Sequence, residues 1–201
     1  MRKAVLVLAA VLCACPLRVT QKRPPTAERI LDRYVEVTGG KAAYAKIRTE
    51  VNTGAIEYVG KGVKGPVAAY LAGDDSSYLV LEIPGAGKIE QGTTHGVAWE
   101  RSALMGPRLK SGEEKAQALR EAGVTPRADW KKHFVKAELA GEETVEGQAC
   151  WRVVLTPREG KPETRFYDKE TGRLVRVDQT VTSPMGEIQA QTYVEDYRAV
   201  S

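Results

Sequence analysis

Ala149-Cys150-Trp151-Arg152-Val153-Val154-Leu155 places Trp151, Val153 and Leu155 on one side of an extended chain. That period of two marks a strand with one buried face. Turn residues recur on both sides of it. Lys136–Glu143 leads in through Glu146-Gly147, and Glu163–Asp168 is joined to Arg173–Thr182 by Lys169-Glu170-Thr171-Gly172. Ser183-Pro184-Met185-Gly186 then leads into Glu187–Tyr197, which is expected to form an exposed sheet edge. The first half repeats the pattern in Glu50–Val59, Val67–Ala72, Ser77–Ile83, Lys88–Thr94 and Val97–Arg101. The breaks fall at Gly60-Lys61-Gly62, Gly73-Asp74-Asp75, Pro84-Gly85-Ala86-Gly87 and His95-Gly96. Short strands at this spacing predict a meandering antiparallel sheet or barrel.

Helical patterns flank and divide these strands. Thr26 can cap a helix running to Val37, with Ile30, Leu31, Tyr34 and Val35 on one face and Gly39-Gly40 as its stop. Lys41–Ile47 reads as a second, short helix. Ser111-Gly112-Glu113-Glu114 is a capping-box pattern for a helix ending at Gly123. Thr125-Pro126 predicts the start of another, on which Trp130 and Phe134, four apart, share a face. The order is helix, sheet, helices, sheet, which is an α+β, mainly antiparallel β class.

The N-terminus reads differently. Met1-Arg2-Lys3 precedes an unbroken apolar run from Ala4 to Leu12, then Cys13-Ala14-Cys15. Charged, apolar and small-residue regions in that order make a secretory signal, and the run is far shorter than the ~20 residues a spanning helix needs. Leu12 and Ala14 ahead of Cys15 suit a lipoprotein signal with Cys15 acylated. Cys13, after a bulky Leu12, suits cleavage poorly. An ordinary secretory signal with an incidental cysteine is the alternative. The expected division is residues 1–14 as signal, 15–25 as tether and 26–201 as one domain, with no Asp after Cys15 to favour inner-membrane retention. The chain is expected to be exported to the periplasmic face of the envelope and anchored in the outer membrane.

Five of the 30 basic residues (Arg2, Lys3, Arg18, Lys22, Arg23) and no acid precede Thr26, leaving 25 Lys+Arg against 26 Asp+Glu. The basic character thus belongs to the signal and tether, which argues against a nucleic-acid surface. Beyond Cys13 and Cys15 the chain has only Cys150, too few for a disulfide framework. Gly60-Lys61-Gly62-Val63-Lys64-Gly65 matches the dinucleotide fingerprint, yet Pro66 and a strand follow where a helix is needed. His95 and His133 lack partners at metal-ligand spacing, Asp74-Asp75-Ser76-Ser77 lacks the length of a calcium loop, and no serine sits in a nucleophile elbow. Neither catalysis nor a cofactor is expected.

Apolar faces carry what remains: Leu79, Leu81 and Ile83 on one side of their strand, Tyr78 and Val80 on the other. Trp99, Leu104, Met105 and Leu109 border the helical interruption. Periodicity alone does not separate a filled core from a lined cavity.

Tyr34–Gly40, Gly96–Glu100, Gly106–Glu113 and the run from Gly141 to Arg198, including Gly147–Pro157 and Phe166–Val175, resemble envelope proteins of the LolA/LolB/LppX superfamily. The resemblance covers about residues 27–198. It implies an unclosed β half-barrel with helices covering the concave face, and a carrier or sorting-like role in which an acyl chain lies against apolar side chains. On that implication Leu79, Leu81, Trp99, Trp130, Trp151, Val153 and Leu155 are expected to line the site, with Met105 and Phe134 in a lid. The expected partners are a lipid or acylated lipoprotein and, through Cys15, a membrane. The protein is expected to be a monomer. A non-enzymatic interaction or stress-sensing module with a filled core is the alternative.

Overall fold

The computed structural model describes residues 24–59, 61–124 and 129–198. Helix α1 (Ala27–Val37) begins where Thr26 Oγ1 accepts the Arg29 amide at 3.4 Å. Its buried stripe is Ala27, Ile30, Leu31, Tyr34 and Val35. The short α2 (Gly40–Tyr44) follows directly, and its Tyr44 hydroxyl lies 2.7 Å from Thr38 Oγ1. No helix among the described residues is long and apolar enough to cross a membrane.

Six strands follow in an uninterrupted meander: β1 (Thr49–Tyr58), β2 (Val63–Ala72), β3 (Ser76–Ile83), β4 (Gly87–Thr94), β5 (Val97–Ser102) and β6 (Gly106–Leu109). After α3 (Gly112–Glu121) and a single 3-10 turn (Trp130–Lys132) come β7 (Phe134–Val145), β8 (Gln148–Pro157), β9 (Glu163–Asp168), β10 (Leu174–Ser183) and β11 (Gly186–Tyr193). These form a second antiparallel sheet in the order β11-β10-β9-β8-β7. Neither sheet closes on itself, so the architecture is the expected unclosed, mainly antiparallel half-barrel class. α1 packs against β7, and α3 against both β5 and β10, so α3 touches both sheets.

Tight hairpins account for much of the regularity. His95-Gly96 (φ 46° and 76°) and Glu146-Gly147 (φ 47° and 78°) both place two successive residues at positive φ. That is the backbone whose twist matches a two-residue hairpin.

Two elements depart from expectation. Phe134 opens β7 and pairs with Pro157, so Trp130 and Phe134 do not share a helix face. Burial of Phe134 (4 % exposed) in the sheet's core outweighs the four-residue spacing. The Thr125-Pro126 helix start lies outside the described residues. Gly106–Leu109, where the sequence reading assigns no strand, forms β6. Proline is tolerated there because β6 is an edge strand, with no neighbour on its far side requiring the missing N–H. In agreement with expectation, a strand starting at Val63 follows Lys61-Gly62, not a helix that could hold a phosphate.

Both buried apolar clusters belong to the second sheet. Ala27, Ile30, Leu31 and Tyr34 of α1 meet Phe134, Val153, Leu155 and Tyr167 on one face. Val145, Cys150, Phe166 and Val175 pack on the other.

Candidate lipid-binding face

The first sheet has two contrasting faces, and its register says which residues share them. One row runs Gly54, Val67, Leu81, Ile89 across β1 to β4. The next runs Asn52, Ala69, Leu79, Gln91, Glu100, Arg108 across β1 to β6. Val67, Ala69, Leu79, Leu81 and Ile89 are half-buried, and none belongs to either buried cluster. This face is therefore apolar over β2 to β4 and turns polar toward β5 and β6.

The polar end is tied to α3. Arg108 donates to Glu114 Oε2 of α3 at 2.7 Å and to Glu100 Oε2 at 3.1 Å. Lys110 Nζ donates to Gln91 Oε1 at 2.9 Å and lies 3.8 Å from Glu114. All four charged side chains are largely removed from water, between 9 % and 18 % exposed. Burial pulls the Lys110 ammonium below its usual range, opposed by Glu114 and Glu100. Glu114 beside Arg108 stabilises that guanidinium further. Beyond α3, Gly123 (φ 82°) lies so close to the β2–β3 turn that a Cβ there would sit 2.4 Å from the Asp74 carbonyl carbon. The Val124 amide donates to Gly73 O at 2.9 Å beside it.

The opposite face carries an aromatic row. Val51, Tyr70, Tyr78, Gly92, Trp99 and Leu109 are cross-strand partners in succession from β1 to β6. Ring centroids are 6.1 Å apart for Tyr70–Tyr78 and 6.2 Å for Tyr78–Trp99, with planes inclined by 30° and 33°. The Trp99 indole lies over Gly92, where any Cβ would come within 2.6 Å of it. The Tyr78 hydroxyl donates to Glu90 Oε1 at 2.5 Å, Arg101 Nε donates to Glu90 Oε2 at 2.8 Å, and Lys88 Nζ lies 3.2 Å from Oε1.

These donors, Tyr78 first and Arg101 next, hold the Glu90 carboxyl down to about 2 from an ordinary 4.5. The same bond raises the Tyr78 phenol. A depressed folded-state pKa stabilises the fold above the unfolded value, and that stability fades as pH falls through the folded one. Urea midpoints should therefore drop between pH 4.5 and about 2, and Glu90→Gln should flatten that part of the profile. An identical slope in the variant would place the acid sensitivity in other carboxyls.

The expected site residues thus fall in four places. Leu79 and Leu81 sit together on the apolar face of the first sheet. Trp99 lies on its opposite face, because Trp99 aligns with Gly92 and Tyr78 rather than with Gln91 and Leu79. Val153 and Leu155 (both 0 % exposed) and Phe134 are buried beneath α1. Trp130 and the half-buried Trp151 pack against that cluster, with the Lys169 ammonium 4.3 Å from the Trp151 ring centroid. Met105 lies in the β5–β6 turn, its amide donating to Ser102 Oγ at 3.1 Å, not in a helical lid. Cys15 lies outside the described residues. Sequence reading passed over Val67, Ala69 and Ile89, which flank Leu79 and Leu81, and the Glu100–Arg108–Glu114–Lys110 group. The alternation of Val67, Ala69 and Leu71 was available as a signal.

A shallow open depression of about 440 Å³ lies at the β5–β6 edge, lined by Trp99, Glu100, Pro107, Arg108 and Leu109. No group of three or more metal-ligating side chains occurs among the described residues.

The sequence matches no protein-family model and no curated protein. Several solved structures resemble it. A LolA superfamily protein from Nitrosomonas europaea is 13 % identical over 88 % of this chain and 80 % of that one, with a TM-score of 0.47. A DUF1329 family protein from Desulfovibrio piger is 17 % identical over 76 % and 72 %, with a TM-score of 0.42. LprF from Mycobacterium bovis is 12 % identical over 87 % and 94 %, with a TM-score of 0.38. At these identities the likeness is one of fold.

Proposed function

We propose that this chain is an exported envelope protein, tethered through an acylated Cys15, that binds the acyl chain of a lipid or lipoprotein in a carrier or sorting-like role. The site is the apolar face of the first sheet, around Leu79, Leu81, Val67 and Ile89. One observation carries the reading. These side chains are half-buried and lie outside both cores, whereas the equivalent face of the second sheet is filled by α1. The resemblance of the sequence to the LolA/LolB/LppX superfamily points the same way. The reaction is binding, not catalysis: burial of a sixteen-carbon chain at ~0.8 kcal/mol per CH₂ supplies more than ~10 kcal/mol gross, before ordering costs. Arg108 and Lys110, at the polar end of the same face, would lie beside the headgroup.

The test is displacement of a fluorescent fatty acid from the wild-type protein and from Leu81→Asp. A carboxylate among the acyl methylenes should weaken binding by about 10- to 100-fold, with a small change in thermal midpoint because Leu81 is outside the cores. Equal affinity in the variant places the chain elsewhere. No uptake by the wild type returns the protein to the alternative reading, a filled interaction module.

A further inference from the structure

The aromatic row on the far side of the first sheet plays no part in the proposed acyl site, and no helix among the described residues packs over it. Val51 is 61 % exposed, Tyr70 46 % and Leu109 72 %. A contiguous apolar row left in water marks a surface of interaction. We propose that this face rests on the bilayer interface, an inference that uses the tether reading above.

Two observations select the membrane over other occupants. The first is reach. Eight residues lie between Cys15 and Pro24, the first described residue. Even fully extended they span only about 30 Å, so an acylated Cys15 keeps the domain against the surface.

The second is the chemistry of the row. Tyr and Trp favour the headgroup level, where an apolar ring and a polar edge are both satisfied. Arg101 and Lys88 stand on the same face with side chains 62 % and 52 % exposed, so their stems can lie along the rings while the cations reach phosphates. The carboxylate nearest the rings, Glu90, shares their face, is only 9 % exposed and is compensated by Tyr78, Arg101 and Lys88. The exposed carboxylates of that face, Glu57 and Glu82, stand away from the rings, Glu57 at 4.0 Å from Lys64 and Glu82 opposite Lys88.

The experiment places an environment-sensitive dye on single cysteines in the full chain, expressed with its signal. Val51→Cys and Leu109→Cys report the two ends of the row, and Val135→Cys, 55 % exposed on β7, is the control. Native Cys150 is 0 % exposed and stays unlabelled. The protein is bound to vesicles of phosphatidylethanolamine and phosphatidylglycerol, and intact mass reads acylation at Cys15. If the mass shows no acyl groups, the tether reading fails on its own account. A histidine tag in place of residues 1–15, which removes Cys13 and Cys15, then holds the protein on a nickel-chelating lipid at about the same distance, and the dye still decides.

Emission at positions 51 and 109 should rise about threefold and shift to the blue on vesicles, with position 135 unchanged. Tyr70→Ser should reduce the rise at both ends. Unchanged emission at 51 and 109, or equal rises at all three positions, overturns the proposal.

Discussion

Replacing Leu155 by alanine should cost the fold about 3 kcal/mol while leaving acyl-chain affinity intact. Leu155 is wholly buried in β8 beneath α1, among Ile30, Leu31, Tyr34 and Val153. Truncation removes the transfer free energy of the side chain and leaves a cavity that a helix packed on a sheet fills only in part. For a chain of this size the thermal midpoint should fall by about 6–12 °C, read by scanning calorimetry. Fatty-acid affinity of the folded protein should stay within twofold, since the proposed site is on the other sheet. A variant that keeps its midpoint and loses affinity would move the acyl site to β8 and make α1 a displaceable cover.

Removing the guanidinium at position 108 should have an effect of similar size and a different signature. Arg108 bridges Glu100 on β5 and Glu114 on α3. With Arg108→Ala the two carboxylates remain close together, largely buried, with Lys110 as their remaining nearby cation. Breaking such a partly buried group should cost about 2–3 kcal/mol. The loss should be local: amide exchange of Gly112–Glu121 should speed up well before that of β7–β9. Added salt should change little, because the group is screened from water. Uniform acceleration across the chain would mean that α3 has no separate stability. Unchanged exchange would mean that Gln117, which accepts the Thr182 amide at 3.3 Å, and Arg120, which donates to Glu159 O at 3.2 Å, hold α3 without the sheet.

Local features of this fold were legible because local chemistry sets them. Thr26 caps α1 and the Ile30–Leu31–Tyr34–Val35 stripe buries as its spacing demands. The hairpins at His95-Gly96 and Glu146-Gly147 follow from residues that tolerate positive φ. Non-local features were hidden. Leu81 and Trp99 both alternate correctly within their own strands, yet only the pairing of Trp99 with Gly92 puts them on opposite faces. A one-residue change of register would have united them. Likewise Val153, Leu155 and Leu81 look alike in sequence. What separates a filled core from an open face is the docking of α1 on β7 and β8 instead of on the first sheet, a contact between segments more than a hundred residues apart. β6 was hidden because a proline argues against a strand unless the strand lies at a sheet edge, and only the pairing places β6 there.

The central claim concerns where an acyl chain lies, and photolabelling addresses it directly. The protein is loaded with a palmitic acid carrying a diazirine near its methyl end, irradiated and digested, and the modified peptides are read by mass. Adducts concentrated in Val67–Leu71 and Leu79–Ile83, and reduced by an excess of unlabelled palmitate, are the result this account requires. Adducts concentrated on Val153 and Leu155, or a scatter that unlabelled palmitate does not compete away, would contradict it.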